Sequence, residues 1–416
     1  MSGHDQQKPS PPPHPDPLPP GGERESRTIA VVTGARSDFG IYLPVLRAIR
    51  ETPELDLRLM VCGMHLAPGF GDTVEDIRAA GFEPSDRIDT LLAADTPAGI
   101  AGSMGLGVLG FGQAFAARRP DLLLVLGDRY EMFAAAAAAV PFAIPLAHIH
   151  GGETTEGAFD EALRHALTKM SHLHFVATEP YRRRVVQLGE EPWRVHLVGA
   201  PGLDNLGQVP LLDDAALMAR VGMALDPAPL LVTFHPVTLE TEDTGDHATE
   251  LMAALEALGR PVVFTYPNAD TGGRRLIEAI DAYVARHADA RAVRSLGTQA
   301  YFSLMRRAAA MVGNSSSGVI EAASFGLPVV DIGNRQKGRV RGENVIHAEP
   351  ERMAIQAAIE TATGASFREA VAGMVNPYGD GRAAGRIIEV LRDVALDRGL
   401  VEKRFYDLAG GRDDGE

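Results

Sequence analysis

The sequence predicts an α/β protein built from two doubly wound, Rossmann-like units that face each other across a cleft. From Thr28 onward, short apolar runs alternate with helical patterns, which is typical of a parallel sheet covered by helices on both faces. Prolines and glycines cluster between about Val198 and Pro229 and divide this alternation into two series. The chain of 416 residues, 45% of them hydrophobic, is long enough to form two cores.

The first series predicts the sheet of the N-terminal domain. One of its runs, DLLLVL, is continuously apolar, as expected of a parallel strand buried on both faces. The expected strands are Thr28–Thr33, Leu55–Cys62, Asp121–Leu126, Ile144–Ile149 and His174–Ala177. The expected helices are Phe39–Arg50, Met132–Val140 and Glu161–Met170.

The second series predicts a similar C-terminal domain. Its expected strands are Leu230–Phe234, Pro261–Tyr266, Ala310–Gly313 and Pro328–Ile332. Its expected helices are Glu250–Leu258, Arg274–Arg286, Tyr301–Ala309 and Val319–Ser324. We therefore expect domains over residues 28–200 and 201–375, a disordered proline-rich tail over 1–27 and a second tail over 401–416.

Composition excludes several classes of function. The net charge of −15 disfavours nucleic acid and anionic membrane surfaces as partners. The single cysteine, Cys62, allows neither an intramolecular disulfide nor a zinc site built from several thiolates. Because the chain has no uninterrupted apolar run of membrane-spanning length and no apolar signal segment, we expect a cytoplasmic protein without a transmembrane helix.

Ligands of doubly wound sheets bind beyond the carboxyl ends of the strands, and two polar motifs follow strands of the first series. In Thr33–Asp38, Gly34 allows close backbone approach, and Arg36 can bind a phosphate beside the helix N-terminus. The motif lacks both the three-glycine dinucleotide spacing and the Gly-Lys-Ser/Thr of a P-loop. In Gly127–Glu131, Asp128 and Arg129 suit acid–base work and anion binding. A solvated turn and a simple helix cap are the alternatives.

The densest group of ionisable residues runs from His148 to Glu161. His148 and His150 alternate on a strand end and share a face, and Glu153, Asp160 and Glu161 follow. Such density is costly unless a cleft uses it, which points to acid–base chemistry. A His-x-His pair can also chelate a metal, but no third ligand stands at a standard spacing, so we expect no metal.

The second series carries three further candidate motifs. His235 follows its first strand, although a structural role for a lone histidine is an alternative. Asn268 and Asp270 follow the next strand, where an ordinary turn is the alternative. The segment Gly313–Glu321 combines a Gly/Ser loop with a helix N-terminus, which suits a diphosphate, and Glu321 can accept from a ribose diol. The basic loop Gly333–Asn344 either closes over the phosphates or is solvated.

With these motifs in order, the chain from about Thr28 to Leu391 resembles the hydrolysing UDP-N-acetylglucosamine 2-epimerases of the sialic and legionaminic acid pathway type. The resemblance implies a glycosyltransferase-B-like fold in which a C-terminal helix at about Gly381–Leu391, within residues 376–400, crosses back to the first domain. It also implies a UDP-sugar substrate, no cofactor, and a homo-oligomer that is a dimer or larger.

The resemblance implies that UDP is eliminated across C1 and C2 of the sugar to give a 2-acetamidoglucal, which water then converts to N-acetylmannosamine. It assigns Asp160 as the favoured acid/base group and Glu321 as the ribose contact. The implied catalytic residues are Asp128, His150, Asp160, Glu161 and His235. The implied substrate-binding residues are Arg36, Asp38, His65, Arg129, Glu153, Asn268, Asp270, Ser315, Ser316, Gly318 and Glu321. Of these, Arg36, Arg129, His235, Ser315 and Ser316 match diphosphate contacts.

Two positions depart from the pattern of many relatives, which have a Glu in place of His150 and a Lys in place of Ile41. The first difference allows an imidazole or a neighbouring carboxylate to take an acid/base role, and the second removes a cation near the phosphates. Similar enzymes act on UDP-2,4-diacetamido-2,4,6-trideoxyglucose, which is therefore an alternative substrate. A glycosyltransferase of the same fold and a non-catalytic sugar-nucleotide sensor are the competing functions.

Overall fold

A computed structural model of the chain describes residues 26–67, 73–92, 96–154, 159–235, 244–266, 273–294 and 296–408, with the side chains of 244–246 and 273–274 left out. Strands and helices alternate along these ranges. The strands are Arg27–Thr33 (β1), Leu55–Cys62 (β2), Asp86–Ile88 (β3), Leu122–Leu126 (β4), Leu146–Ile149 (β5), Leu173–Val176 (β6), Val195–Leu197 (β7), Leu230–Thr233 (β8), Val262–Thr265 (β9), Ala290–Val293 (β10), Ala310–Gly313 (β11), Val329–Ile332 (β12) and Val345–Ala348 (β13).

Helices connect these strands and cover the sheets. They are Arg36–Glu51 (α1), Thr73–Ala79 (α2), Pro97–Ala117 (α3), Tyr130–Ala139 (α4), Asp160–Met170 (α5), Glu179–Gln187 (α6), Asn205–Gln208 (α7), Asp214–Val221 (α8), Thr244–Leu258 (α9), Gly273–Arg286 (α10), Gly297–Arg307 (α11), Ser316–Ile320 (α12), Arg352–Thr363 (α13), Ala365–Val371 (α14), Ala383–Asp393 (α15) and Arg398–Val401 (α16).

Two parallel sheets form, and the predicted two-sheet α/β fold is confirmed. Along the first sheet the strand order is β3-β2-β1-β4-β5-β6-β7, and along the second it is β10-β9-β8-β11-β12-β13. In each sheet, successive strands are added first on one side of the first strand and then on the other, so the strand order reverses between β1 and β4 and between β8 and β11. Crevices at such switch points bind ligands in doubly wound folds, and the predicted motifs follow these strands.

The strands that the sequence patterns did not predict all lie at the edges of the two sheets. The predicted bounds of β2 and β11 agree with the structure, whereas β3, β7, β10 and β13 were missed. Each missed strand has three or four residues and is only partly buried, so it has no continuous apolar run. Helix α12 was also misplaced: it begins at Ser316, and a 3₁₀ turn, Ala322–Phe325, follows it.

Helix α15 closes the chain back onto the first sheet. Its buried residues Ile387 and Leu391 share one apolar core with Ile29 of β1 and Leu46 of α1. Arg27 adds a hydrogen bond from Nη1 to the Val394 carbonyl, 2.6 Å away. Helix α15, which follows the second sheet in the chain, therefore packs against the first sheet.

The described part of the predicted tail over 401–416 contacts the first half of the chain. The Lys403 ammonium lies 2.7 Å from the buried carboxylate of Glu190 and donates to the Lys169 and Ser171 carbonyls. Most of the expected proline-rich tail, residues 1–25, lies outside the described residues, as do residues 409–416.

Helix α3 differs from the expectation that no helix has the length and composition to span a membrane. Its 21 residues include no charged side chain, and it meets both criteria. It is nevertheless the crossover between β3 and β4, and Phe111 and Phe115 on one face are buried in the sheet core. Leu106 and Leu109 lie on the opposite, exposed face. Helix α3 therefore covers the sheet with one face and presents an apolar surface on the other.

Candidate active site

The turn after β4 places Asp128 at the first switch point. Gly127 has φ +72°, which favours glycine, and its carbonyl accepts a 2.7 Å hydrogen bond from Nε2 of His148. His148 is fully buried, and burial lowers the pKa of its ring to about 3. The neutral, buried imidazole of His148 is hydrogen-bonded to this turn, so His148 does not share the environment of His150.

Asp128 forms an ion pair with Arg164 of α5, which sequence reasoning did not assign a role. The same guanidinium donates from Nη1 to the His150 carbonyl, 2.9 Å away. Asp160, the first residue of α5, precedes Arg164 by one helical turn, and this spacing was the available signal. Arg164 thus connects two of the predicted catalytic positions, Asp128 and His150.

Asp160 lies where its surroundings raise the pKa of its carboxyl. Burial and the neighbouring charge of Asp128 raise the pKa of its carboxyl to about 6, while Arg129 and Arg164 oppose the increase. A carboxyl in this range is mostly ionised at pH 7 and gives up or accepts a proton at low cost. The neighbouring carboxylate, Glu161, has its Oε1 3.1 Å from Nε2 of His165, one turn further along α5.

His150 adopts a left-handed backbone conformation, with φ +65°, that non-glycine residues seldom occupy. Its Nδ1 is 2.6 Å from Oε1 of Glu153, whose second oxygen lies 3.9 Å from Nη1 of Arg339. Burial alone would raise the pKa of Glu153, but His150 and Arg339 together lower it to about 2. Glu153 is therefore an anion that links residues of the two halves of the chain.

A second charged group lies beside the Gly34 turn. Arg129 is paired with Glu131 at 3.0 Å and stands 3.9 Å from Asp38. Burial raises the pKa of Asp38 to about 6, with Arg129 opposing and Glu131 reinforcing the rise. A Cβ on Gly34 would be 3.2 Å from the Glu131 carboxyl carbon, so only glycine leaves this carboxylate its ordinary clearance. Glu131 is thus a buried partner of Arg129 that sequence reasoning missed.

The other two residues predicted near β1 and β2 have different surroundings. Arg36 is exposed and donates from Nε to Asp76, 2.8 Å away. His65 is buried, with ring nitrogens 3.0 Å from the Thr33 hydroxyl and 2.8 Å from that of Thr73. Burial lowers the pKa of His65 to about 4. Both nitrogens of His65 are therefore occupied within the protein.

At the second switch point, Asn314 holds the end of β8 against β11. Its Oδ1 accepts from the His235 amide at 2.7 Å, and its Nδ2 donates to the His235 carbonyl at 2.8 Å. A Cβ on Gly313 would lie 1.9 Å from the Thr233 carbonyl oxygen, so this contact requires glycine. Burial and Arg335 lower the pKa of His235 to about 4, which keeps its ring neutral near pH 7. Asn314 was missed as a positioning residue.

The Gly/Ser loop has one serine in the crevice that sequence reasoning did not select. Ser315 caps α12 through a bond from the Ser317 amide, and Ser316 is the first residue of this short helix. Gly318 is explained by packing, because a Cβ there would be 2.9 Å from Val329. Ser317, instead, contributes to the crevice described next, beside Glu321.

A cavity of about 360 Å³ lies between the two switch points. Glu321 lines it, and burial raises the pKa of this carboxyl, whose Oε2 has no hydrogen-bond partner among the described residues. The Tyr301 hydroxyl lies beside those of Thr233 and Ser317. Residues from both halves line the cavity: Arg36, Ser37, Gly40, Ile41, Gly202, Asn205, Thr233, His235, Thr265, Tyr266, Val293, Arg294, Leu296, Gly297, Thr298, Tyr301, Phe302, Ser317 and Glu321.

Two predicted site residues, Asn268 and Asp270, lie outside the described residues, as does the segment 236–243 after His235. Within the described ranges, no group of three or more His, Cys, Asp or Glu residues is placed to hold a metal ion. The described residues form an acid–base group at the end of the first sheet and a hydroxyl-lined crevice at the end of the second. Such an arrangement can bind a polar ligand across the cleft and move protons on the part that meets the first sheet.

Comparisons with known proteins identify the family of this chain. A sequence model of the family described as UDP-N-acetylglucosamine 2-epimerase matches residues 47–392. A Legionella pneumophila protein named UDP-N,N'-diacetylbacillosamine 2-epimerase (hydrolyzing) is 37% identical over 377 residues, covering 91% of this chain and 98% of that protein. A Neisseria meningitidis UDP-N-acetylglucosamine 2-epimerase is 32% identical over 388 residues, covering 92% and 99%.

A solved structure supports the fold. The UDP-GlcNAc 2-epimerase from Neisseria meningitidis bound to UDP-GlcNAc superposes with a TM-score of 0.76 at 17% identity, covering 88% of this chain and 99% of that chain. Likeness at this level of identity concerns the fold alone.

Proposed function

Because the chain belongs to the UDP-N-acetylglucosamine 2-epimerase family, we propose that it is a hydrolysing 2-epimerase that converts UDP-N-acetylglucosamine to N-acetylmannosamine and UDP. The observation that carries this proposal is the pairing of two environments across one cleft. Asp160, with its pKa raised to about 6, belongs to the first sheet, and the hydroxyl-lined crevice beside Glu321 belongs to the second.

The chemistry requires two proton-transfer groups. In the first step the C2–H and C1–O bonds break, C1=C2 forms, and UDP leaves with the C1 oxygen. In the second step the oxygen of water adds to C1 and a proton returns to C2. Because C2 is inverted, that proton must arrive on the face opposite to the one from which it was removed, so a single side chain on one face does not suffice.

Asp160 and His150 fit these two tasks. Asp160 is the proposed base, because a carboxylate with a pKa near 6 is ionised at pH 7 yet still basic enough to take a proton. His150 is the proposed partner on the other face, because an imidazole nitrogen can both accept and donate a proton. Arg164 binds both the Asp128 carboxylate and the His150 carbonyl, and so fixes the position of His150 relative to Asp128.

The leaving diphosphate needs positive or hydrogen-bonding partners rather than a base. Arg36 lines the crevice from the first sheet, and His235 and Ser317 line it from the second. Arg129 is held in place by Glu131 and is the proposed second guanidinium toward the phosphates. Donors placed where negative charge develops stabilise the transition state of bond cleavage, and this is the assigned role of these residues.

A second substrate is favoured by one finding. The Legionella relative that acts on a diacetylbacillosamine nucleotide is 37% identical to this chain, against 32% for the Neisseria N-acetylglucosamine enzyme. UDP-2,4-diacetamido-2,4,6-trideoxyglucose is therefore the alternative substrate for the same reaction. Parallel assays with the two nucleotides decide between them by the ratio of kcat/KM.

The test of the function uses the full chain and one sugar nucleotide at a time, without an acceptor. We expect UDP release, an equal amount of the free 2-epimeric sugar, and one deuterium at C2 when the reaction runs in D₂O. A glycosyltransferase would need an acceptor for more than trace release, and a sensor would bind UDP without turnover. Failure of both nucleotides to yield free 2-epimer would refute the proposal.

We also propose a homo-oligomer that buries the outer face of α3. Leu109 on this helix is 65% exposed, and Leu106 lies on the same face. Large apolar patches of this kind are typical of subunit interfaces. Light scattering should show a dimer or larger for the parent and a smaller species for Leu109→Glu, while a parent monomer would refute the idea. The proposed location is the cytoplasm, consistent with the single buried Cys62.

A further inference from the structure

A buried carboxylate bridges the two halves of the chain beside the acid–base group. Glu153 follows β5 and is 3% exposed, and one of its oxygens lies 2.6 Å from Nδ1 of His150. The other oxygen lies 3.9 Å from Nη1 of Arg339, whose side chain is 14% exposed and which follows β12 of the second sheet. A carboxylate so enclosed is stable as an anion only because both neighbours can carry positive charge.

We propose that Glu153 and Arg339 are positioning residues that act through His150, holding its imidazole with the proton on Nδ1 and leaving Nε2 as the atom that exchanges a proton with the sugar. The catalytic part of this inference rests on the 2-epimerase function proposed above. The positioning part concerns only the protein's own residues and is tested separately.

The tautomer follows from the chemistry of the partner. An ionised carboxylate accepts hydrogen bonds and donates none, so the Nδ1 atom 2.6 Å from Oε1 of Glu153 must carry the proton. In the neutral ring Nε2 then has the free lone pair, and in the charged ring it carries the transferable proton. A carboxylate behind a working imidazole is the arrangement that fixes ring orientation in other acid–base sites.

Two hydrogen bonds also hold the backbone of His150 in place. Its amide donates to the Phe175 carbonyl at 3.0 Å, and its own carbonyl accepts from Arg164 at 2.9 Å. These two bonds hold a non-glycine residue at φ +65°. Such outliers persist when surrounding structure over-determines them, and they cluster at functional sites. The ring therefore has one orientation relative to Asp128 and Asp160.

Arg339 reaches Glu153 because its loop is clamped to the first half of the chain. The Val340 amide donates to the Tyr181 hydroxyl at 3.0 Å, and the Tyr378 hydroxyl donates to the Val340 carbonyl at 2.9 Å. Since the Tyr378 proton is used there, Tyr181 is the donor in the 2.9 Å contact between the two hydroxyls. These hydrogen bonds hold the loop in the position from which Arg339 reaches Glu153.

Several elements of both halves of the chain place charged or titratable groups around His150, Glu153 and Arg339. These groups come from the turn after β4, from β5, α5 and α6, from the end of α12 and from the segment between α14 and α15: Asp128, His148, Arg164, Tyr181, Glu321 and Tyr378. The charges that dominate at Asp160 are instead Asp128, Arg129 and Arg164. Changes at Glu153 and Arg339 should therefore affect His150 more than Asp160.

Because Glu153 and Arg339 carry opposite charges, removing one or the other should move the pH at which His150 loses its proton in opposite directions. Glu153→Gln removes the anion that favours imidazolium and leaves Arg339 to repel it, so His150 should lose its proton at lower pH. Arg339→Gln leaves the anion and removes the repelling cation, so His150 should lose its proton at higher pH. We expect each displacement to be about one pH unit, as for a neighbouring charge in a partly enclosed site. Arg339→Lys retains the cation and should titrate close to the parent.

The experiment is a pH titration of the full chain, saturated with UDP and labelled with ¹³C at the histidine ring, followed by NMR. The variant His150→Asn identifies the His150 signal. Arg386→Gln is the matched control, because it removes a guanidinium paired with Asp380 on the surface and should leave the His150 titration unchanged. Unmoved midpoints in both Gln variants, or displacements in one direction, would overturn the positioning role whether or not the protein turns over a sugar nucleotide.

Turnover provides the second readout. In Glu153→Gln and Arg339→Gln, kcat should fall by about tenfold or more while KM changes little, because positioning rather than substrate contact is lost. Arg339→Lys should recover most of kcat. A rise in KM with kcat unchanged would assign both residues to substrate binding instead. If the parent releases no UDP from either nucleotide, the proposed function fails, and the NMR titration still decides the positioning role.

Discussion

Replacing Asp38 with Asn should make the protein more stable at neutral pH and less active. The Asp38 carboxyl is 4% exposed, accepts from the Gly34 amide at 3.3 Å, and stands 3.9 Å from Arg129. Burial raises its pKa from 3.8 to about 6, with Arg129 opposing the rise and Glu131 adding to it. Ionisation of Asp38 therefore lowers the free energy of unfolding, although it places a negative charge beside Arg129.

The magnitude follows from proton linkage. Between pH 3.8 and about 6 the folded state binds more protons at Asp38 than the unfolded state does, so this group's contribution to stability falls as pH rises through that window. The full difference corresponds to about 3 kcal/mol at pH 7.5, because one pKa unit is worth about 1.4 kcal/mol. At pH 4 the contribution is only about 0.5 kcal/mol, since the folded state is then almost fully protonated and the carboxyl of the unfolded state is only partly ionised.

The assay is chemical denaturation of the parent and Asp38→Asn at pH 4 and pH 7.5. Lost hydrogen bonds affect the difference between the two proteins equally at both pH values, so the change of that difference with pH isolates the titration. We expect the variant to gain about 2.5 kcal/mol relative to the parent on going from pH 4 to pH 7.5. A difference that does not change with pH, or that favours the parent at the higher pH, would show that Asp38 does not titrate as its burial requires.

Three further changes test other parts of the structure. Asp160→Asn should lower kcat by about 10² to 10⁴-fold while UDP affinity by calorimetry stays near the parent value, and full activity would exclude it as the base. Gly313→Ala should prevent a stably folded second sheet, because its Cβ would meet the Thr233 carbonyl oxygen at 1.9 Å; a parent-like thermal midpoint would contradict that contact. Lys403→Met should destabilise the chain by roughly 1–3 kcal/mol, since it takes a partner from the buried carboxylate of Glu190, and an unchanged midpoint of denaturation would show that the chain end is not anchored there.

Strand-end motifs were predictable because they depend on local sequence. A short apolar run followed by glycine and polar residues, as at Gly127-Asp128 and Gly313-Asn314, marks a strand that ends at a crevice. The edge strand β13 was not predictable in this way, because its four residues are only partly buried and leave no apolar signature. Helix α3 was missed for a related reason: its glycines hide a helix that tertiary contacts with the sheet stabilise.

Residue roles within each motif depended on long-range contacts. His148 and His150 are two residues apart on one strand end, yet the first supports the Gly127 turn and the second pairs with Glu153. Glu131 was hidden because nothing local shows that a carboxylate lies beneath Gly34. Among the loop arginines, only the docking of the second sheet separates Arg339, which meets Glu153, from Arg341, which pairs with Asp331.

The sequence by itself determined the two doubly wound sheets, their switch points and the chemistry collected there, because strand and helix periodicity and glycine turns are encoded over a few residues. Only the tertiary structure decided which side chains face one another across the cleft. That choice depends on burial and on charges brought together from distant parts of the chain, such as Glu153 and Arg339, and these set both the orientation and the protonation of the groups between them.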